Sequence, residues 1–579
     1  MTFTFALTRR LPKRLLPLLL VTAVSQAFAV DHGANGAADS QNQTLSGPGN
    51  VSATLGATGG HGGAGALSGG NGGLASAVLD LTAQWHATGV ISAYGGNGGQ
   101  VSPANVDGLG LYGAGGDATA TGVLRGAGAS GSAYAQGGTF SGQYAGTPNA
   151  GNANSSLTAW TSGAQAVDLS SSAYAGQGGG NSTASLDVDS GVTQPAAGDA
   201  SVTANVKAIG NSAYSPGNSI STLNLRGTGH LTGTSLAQTG ASYEDPFVNI
   251  SPPALARSTV TGITTGKHDV TLSSTANSSY GPGGGGGANA TVTGQSGSGK
   301  VVVTANANTP AQSFGMGSAS ANAIARTAQQ GGSSLAQASA TASGAYARAE
   351  AYSVGTGGST AIAKAAGDDW SGAGSSAIAK SSASDGGNGL LTATTSVDSS
   401  GTATSRAAYG GLSVALPVLN NGPESQVVVT AGGTAGLGAG MQAASGGNIG
   451  YSVQEGQHTW QQSSAAGHLW ITFMQGEAGT VPFSSLDLYI ANNGQSLYSV
   501  SFGSVDEANL FFNGRTLDLG PIDAGLQNFS IRSDLTGATA NYAFNYTLAV
   551  PEPMEWMLML SGLTLVMLAA RRKSQAAAT

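Results

Sequence analysis

Between its glycine clusters, this chain alternates small apolar residues with polar ones, one by one. "DATATGV" (Asp117–Val123), "NSTASLDV" (Asn181–Val188), "GANATVTG" (Gly287–Gly294), "SAIAKSSAS" (Ser376–Ser384) and "LTATTSV" (Leu391–Val397) all follow this rule. A period of two turns one face of a β-strand inward and the other outward. The triplet Ser-Ala-Tyr recurs with its tyrosines at Tyr94, Tyr134, Tyr174 and Tyr214, a step of 40 residues. Glycine-containing stretches follow each tyrosine and read as turns: "GGNGG", "AQGG", "AGQGGG" and "SPGN". The broad leucine stripes that helical repeats need are missing, and so is the WD signature of propellers. The reading is therefore all-β, with stacked short strands over Gly33–Ser405 as a β-solenoid or an elongated layered sheet. The competing outcome is a flexible low-complexity chain. Gly makes up 94 of 579 residues and charged residues only 8%, and such a composition struggles to offset ordering entropy.

The composition changes from about Val414. "SQVVVTA", "HLWITFM", "LDLYIA", "LYSVSFG", "ANLFFNG" and "NYAFNYTLAV" are strand-like and rich in large apolar residues, among them Trp470, Ile471, Phe473, Leu488, Phe511 and Phe544. Asn493-Gly494 and Asn513-Gly514 are hairpin signals. This divides the chain into a Gly/Ala/Ser/Thr-rich β-repeat region over 30–411 and a compact antiparallel β-sandwich over 412–549.

Both ends carry targeting features. Arg9, Arg10, Lys13 and Arg14 precede the apolar run Leu15–Val24 and the small-residue site Ala27-Phe28-Ala29, which reads as a secretory signal peptide over 1–29. Residues 30–549 then hold 13 of the 20 cations and 26 of the 28 acids. A body near −13 with no basic patch excludes nucleic acid as a partner. The absence of cysteine rules out disulfides and thiolate metal sites.

At the other end stand Pro551, Glu552 and Pro553, then the apolar run Trp556–Ala570, then Arg571, Arg572 and Lys573. Fifteen residues make a helix of about 22 Å, short against a hydrocarbon core of about 30 Å. The cations belong on the cytoplasmic side and the body outside. The two prolines keep the helix out of the body and leave Glu552 exposed.

These three ordered parts, over 550–573, resemble the PEP-CTERM sorting signal of exopolysaccharide-producing Gram-negative bacteria. The resemblance covers about 25 residues and leaves the cargo open. It implies that an exosortase, a membrane transpeptidase-like protease, recognises Pro551, Glu552 and Pro553 and removes the helix. The nucleophile would be the exosortase's own. The protein would sit briefly at the inner membrane and then move to the cell envelope or extracellular matrix.

Candidate chemistry in the body is sparse. Asp368 and Asp369 in "GDDW" form the one adjacent acid pair of the repeat region, on a turn or on opposite strand faces. Two carboxyl groups held a few Å apart would be needed for glycoside hydrolysis. His458 and His468, with Glu455 near the first, match no zinc spacing. Asp506 and Glu507 sit in an expected hairpin. His61 reads as a loop histidine without partners. "GGNGGQVSP" lacks the aspartate of a calcium nonapeptide, and "GQSGSGKV" lacks phosphate-loop spacing. Thr-x-Thr arrays suited to ice or crystal surfaces look irregular. No cofactor, metal or catalytic residue is assigned. The expectation is a non-enzymatic structural or interaction protein of the envelope or polysaccharide (biofilm) matrix. The alternative is a glycan-active enzyme or adhesin on a β-helix scaffold.

Overall fold

The computed structural model describes residues 33–549 except 67, 102–111, 141–149, 164, 192–199, 212–216, 242–253, 279–285, 310–317, 329–331, 344–346, 356–358, 369–374, 383–389, 398–400, 409–423, 431–437, 446–452, 465, 479–482 and 537–540. The leader 1–29 and the tail 550–579 lie outside the described residues.

Alternate strands go to alternate sheets. Asp39–Gly47, Ala75–Ala83, Ala118–Gly126 and their successors build one sheet; Val51–Thr58, His86–Tyr94, Gly128–Gln136 and theirs build the other. Each described sheet has 16 strands. Pairing is parallel from Asp39–Gly47 through Gly401–Ala408 in the first sheet, and from Val51–Thr58 through Leu390–Val397 in the second. Each coil thus contributes one strand to each face, which is a two-sided parallel solenoid. Parallel pairing follows from the winding, because each strand lies beside the one a full coil later.

Coil length varies. Ala75 pairs with Ala118, 43 positions on, whereas Ser334 pairs with Ser359, 25 on. The 40-residue tyrosine period is therefore not the structural register. Tyr94 lies opposite Gln136, and Tyr174 is opposite the same Gln136. The slip relative to Tyr134 is two residues, and an even slip keeps a side chain on the same face. All three tyrosines therefore still point outward.

Alternation places Ala, Leu, Val and Ile between the sheets. Leu79, Ile91, Leu124, Leu157 and Leu169 are fully buried. Glycines inside strands make room for them. A Cβ at Gly122 would lie 2.6 Å from both Ile91 and Leu157, and one at Gly89 2.7 Å from Leu124. Large residues of one sheet thus enter gaps left by glycine in the other or in the next coil, which keeps a core of small residues close-packed.

Hydroxyls inside the core are paired with one another. Ser274 donates to Ser258 (2.8 Å), Ser258 to Ser235 (2.9 Å) and Ser235 to Ser221 (2.7 Å), all buried. Each link joins the two sheets, so the chain of hydroxyls runs zigzag up the axis. Ser258→Ala breaks it in the middle and strips Ser235 of a donor. We expect a loss of about 1–2 kcal/mol, read from a shift in urea midpoint at unchanged slope.

The glycine clusters after Tyr94 and Tyr134 are not turns, whereas the one after Tyr174 does turn, at 177–179, with φ of 116° and 108° at Gly178 and Gly179. Residues 59–63, 95–99 and 137–140 run outward from the second sheet, while 69–73, 113–116 and 150–152 run back to the first. Within the outward row Gly59 N–H donates to Tyr94, Gly62 to Asn97, Gly95 to Gln136 and Gly98 to Thr139, at 2.8–3.0 Å. Between the rows Gly60 donates to Ala37, Gly73 to Gly60, Gly96 to Gly73, Gly116 to Gly96 and Gly138 to Gly116, at 2.7–2.9 Å. Partners recur every third residue, the period of a polyproline-II helix, which makes no hydrogen bonds within itself. The third N–H meets a side chain: Asn97 N–H donates to His61 Nδ1 (2.9 Å), Thr139 N–H to Asn97 Oδ1 (2.9 Å) and Ala114 N–H to Asn71 Oδ1 (2.9 Å). Most backbone donors of the G-G-x units are thus paired, which holds these segments together through hydrogen bonds between coils. His61, expected to lack partners, is one of the acceptors.

Beyond the repeats the same two sheets continue with mainly antiparallel pairs. Val453–Ser464 pairs with Gly525–Thr536, which pairs with Ser485–Asn492, while Gly467–Ala478 pairs with Asn541–Ala549. The Asn493-Gly494 hairpin is present: Asn492 faces Gln495, and φ is 49° and 79° at the two turn residues, both positive as a type I′ turn requires. The expected hairpin around Asp506 and Glu507 and the strand at "ANLFFNG" are instead a helix, Val505–Phe512. Ser504 caps it, accepting from Glu507 N–H (3.3 Å), and Glu507 accepts from Gly503 N–H (3.0 Å). Ser-Val-Asp-Glu is a capping box, the signal that the apolar run concealed. Asn513 is consequently the C-cap of the helix, not a hairpin residue, and Gly514 (φ 78°) leads into the strand Thr516–Ile522.

Candidate functional site

The outer faces of the two sheets are where the repeat region meets its surroundings. Register lines up residues that look irregular along the sequence. In the first sheet Ser156, Ser185, Thr222, Thr259 and Thr291 are successive partners, and Ser185 donates to Ser156 at 3.0 Å. In the second, Ser132, Ser170, Asn205, Thr234, Ser273 and Thr304 form such a column. Coils of unequal length hide these arrays in the sequence. The ladder restores them at about 4.8 Å per coil.

Aromatic residues stand on these polar faces. Tyr94 and Tyr134 have ring centroids 5.5 Å apart, and Tyr134 and Tyr174 5.4 Å apart, at interplanar angles of 42° and 33°. Lys207 Nζ lies 5.4 Å from the Tyr174 ring. The row runs across the strands, along the solenoid axis. Tyr134 is half-buried between its neighbours, and desolvation pushes its hydroxyl pKa up. Its hydroxyl donates to Gln136 Oε1 (2.9 Å). On the opposite face Arg125 bonds Asp80 and stacks 4.7 Å over Trp160, which is 47% exposed. That trio was not legible in the sequence, because Asp80, Arg125 and Trp160 come from three coils.

The candidate chemical residues do not converge. Asp368 ends the strand Ser359–Asp368, and Asp369 and Trp370 lie outside the described residues. Glu455 and His458 are on a strand of the first sheet, His468 on a strand of the second. His468 is exposed and binds Asp518 Oδ2 at 2.9 Å. The Gly520 N–H and the His468 ring hold the Asp518 carboxyl below the usual carboxylate range. Asp506 and Glu507 form the first turn of the helix, where they complement its positive end. "GQSGSGKV" is the end of a strand and the bend after it, with Lys300 N–H donating to Asp269 Oδ1 (2.8 Å). Among the described residues no group of three or more His, Asp or Glu is placed to hold a metal ion.

The sorting-signal candidates Pro551, Glu552 and Pro553, the run Trp556–Ala570, and Arg571, Arg572 and Lys573 all lie outside the described residues. No helix among the described residues is long and apolar enough to cross a membrane. No known protein family matches the chain, and no curated protein matches it.

Proposed function

We propose that this chain is an exported, non-enzymatic interaction protein. Its terminal signals carry it through the inner membrane to the cell envelope or the exopolysaccharide matrix. The observation that carries this reading is the pair of long outer faces. They present hydroxyl and amide groups in register over many coils, with little charge, and with aromatic rings set on them. Repetition at a fixed step favours a partner that also repeats, because each weak contact is added to the last at high effective concentration. Polysaccharide is such a partner. The reading includes 1–29 as a cleaved leader, 412–549 as a sandwich domain that closes the solenoid, and 550–573 as a PEP-CTERM-like signal recognised by an exosortase through Pro551, Glu552 and Pro553.

Deleting 551–579 tests the routing. The expected result is that the truncated protein leaves the envelope fraction, while the full chain yields a C-terminal peptide in mass spectra that ends before Trp556. A mature product that keeps Trp556–Lys573 in the membrane of a host with a working exosortase contradicts the proposal.

A further inference from the structure

We propose that the N-terminal end of the solenoid is a dimer interface, where two copies of this chain join edge to edge about a two-fold axis. The inference goes beyond the reading above and rests on one part of it, the removal of 1–29.

Asp39–Gly47 and Val51–Thr58 are the first strands of the two sheets, and among the described residues each has a partner strand on one side only. Alternate N–H and C=O groups along both therefore point away from the body, open to another strand. Natural edges are guarded by lysine, proline or a bulge. These two strands contain no lysine, arginine or proline, and their pairing runs without a shift. Their single charge, Asp39, stands at one end and is engaged by the Thr58 N–H and the Gln41 amide, both at 2.7 Å. The far end of the sheets is different. Pro521 lies in the edge strand Thr516–Ile522, and register shifts interrupt both outermost pairs, at Leu469/Trp470 and at Ile490/Ala491. The core is also open at the first coil. Leu45, Val51, Ala53 and Leu55 pack against it but are only part-buried. Leu81, Ala87 and Ile91, the partners of Leu45, Val51 and Leu55 one coil on, are fully buried. Gln41 and Gln43 share the inward register of Leu45, and amides suit a self-contact because each both donates and accepts.

Whatever covers this end must offer two edges at once, separated by the sheet spacing of about 10 Å. The residues ahead of it cannot. Cleavage after Ala29 leaves 30–32, about 11 Å of chain at full extension, and they lead into Gly33, which is held in the glycine rows by Ser68 (2.8 Å). A second copy supplies both edges at the same spacing. The bend at 48–50 makes the two strands run oppositely, so a two-fold perpendicular to the solenoid axis makes both junctions antiparallel. The glycine rows choose which two-fold. Ala34 and Ala37 head columns that continue as glycine, accepting from Gly63 (2.7 Å) and Gly60 (2.8 Å). A Cβ at Gly70 or Gly73, further along, would lie 2.0 Å from the Ala34 or Ala37 carbonyl oxygen. Side chains in these columns thus point toward the N-terminal end, and the Ala34 and Ala37 methyls close the rows there. The two-fold normal to the sheets keeps the rows of the two copies apart. It pairs Asp39–Gly47 with its own counterpart and Val51–Thr58 with its own. The contact is isologous, so it closes at two chains.

The test uses the full chain as exported by its host, with N-terminal sequencing to show where it starts. The chain has no cysteine, so a single one reports the contact. The expected results are a sedimentation mass of two chains, and a dimer cross-linked by a short bismaleimide from Thr44→Cys but not from Ser499→Cys on the far edge strand. Thr44 and Thr54 are exposed on the two open edges. Thr44→Lys with Thr54→Lys sets like charges across the junction and weakens association at least about tenfold, with the circular dichroism of the strands unchanged. Ser499→Lys leaves the mass at two chains. A mass of one chain for protein starting at Val30, equal association with and without the two lysines, or cross-linking at 499 and not at 44 overturns the proposal. Retention of 1–29 is a failure of the leader reading instead and shows in the sequencing. The Thr44→Cys cross-link decides the dimer in either case.

Discussion

Gly96→Ala disrupts the first coils of the solenoid, at a cost of at least about 4 kcal/mol, in the range that marks a specific structural failure. A Cβ at this position would lie 1.9 Å from the Gly60 carbonyl oxygen, 2.6 Å from its carbon and 2.8 Å from the Gly73 nitrogen. All three are backbone atoms held by hydrogen bonds to further coils, so none can yield as a flexible side chain would. Gly96 N–H donates to Gly73 and Gly96 C=O accepts from Gly116, so displacing the segment also breaks the column on both sides. The same substitution at Gly47, where the nearest contact is 3.4 Å to a Val51 methyl, is expected to stay within about 0.5 kcal/mol. Denaturant melts of both variants, with hydrogen exchange at Gly73, Gly116 and Gly138, make the comparison. A Gly96→Ala chain that melts like the Gly47→Ala chain would refute the close backbone packing of these segments.

Phe512→Ala is expected to cost about 3–5 kcal/mol. Phe512 is fully buried and stacks on Phe544 at 4.2 Å, with Phe473, Phe502 and Tyr542 at 5.1–5.5 Å. It ties the helix Val505–Phe512 to the strands Gly467–Ala478 and Asn541–Ala549. The void left behind is lined by rings that cannot collapse together without moving those strands. Leu510 on the same helix is 83% exposed, and Leu510→Ala should shift stability by less than about 0.5 kcal/mol. Near-ultraviolet circular dichroism follows the aromatic cluster directly. Equal melting of the two variants would show that the helix does not close this end of the core.

The alternation of small apolar and polar residues was enough to read strands, and the step between tyrosines was enough to read coils. Both follow from local geometry: a pleated strand has a period of two whatever it pairs with. Tyr94, Tyr134 and Tyr174 recur at a constant step in the sequence, yet that step is not the register, because loops of unequal length separate the strands. Asp506 and Glu507 were misplaced because Leu510, Phe511 and Phe512 imitate a strand. The capping residues Ser504 and Glu507 held the contrary information. "GGNGG" was read as a turn because glycine permits many conformations and its own sequence does not choose among them.

By itself, then, the sequence determined the β character, the inward face of each strand and the low charge of the chain. Each depends on a residue and its near neighbours. Tertiary structure alone decided that the repeat strands pair in parallel, that serines and threonines from distant coils form columns, and that glycine segments bond from coil to coil at every third residue. It also decided that three tyrosines become one row. Those features depend on which coil lies above which, a matter settled by packing Leu124 against Gly89 and Gly96 against Gly60 and not by any local preference of the chain.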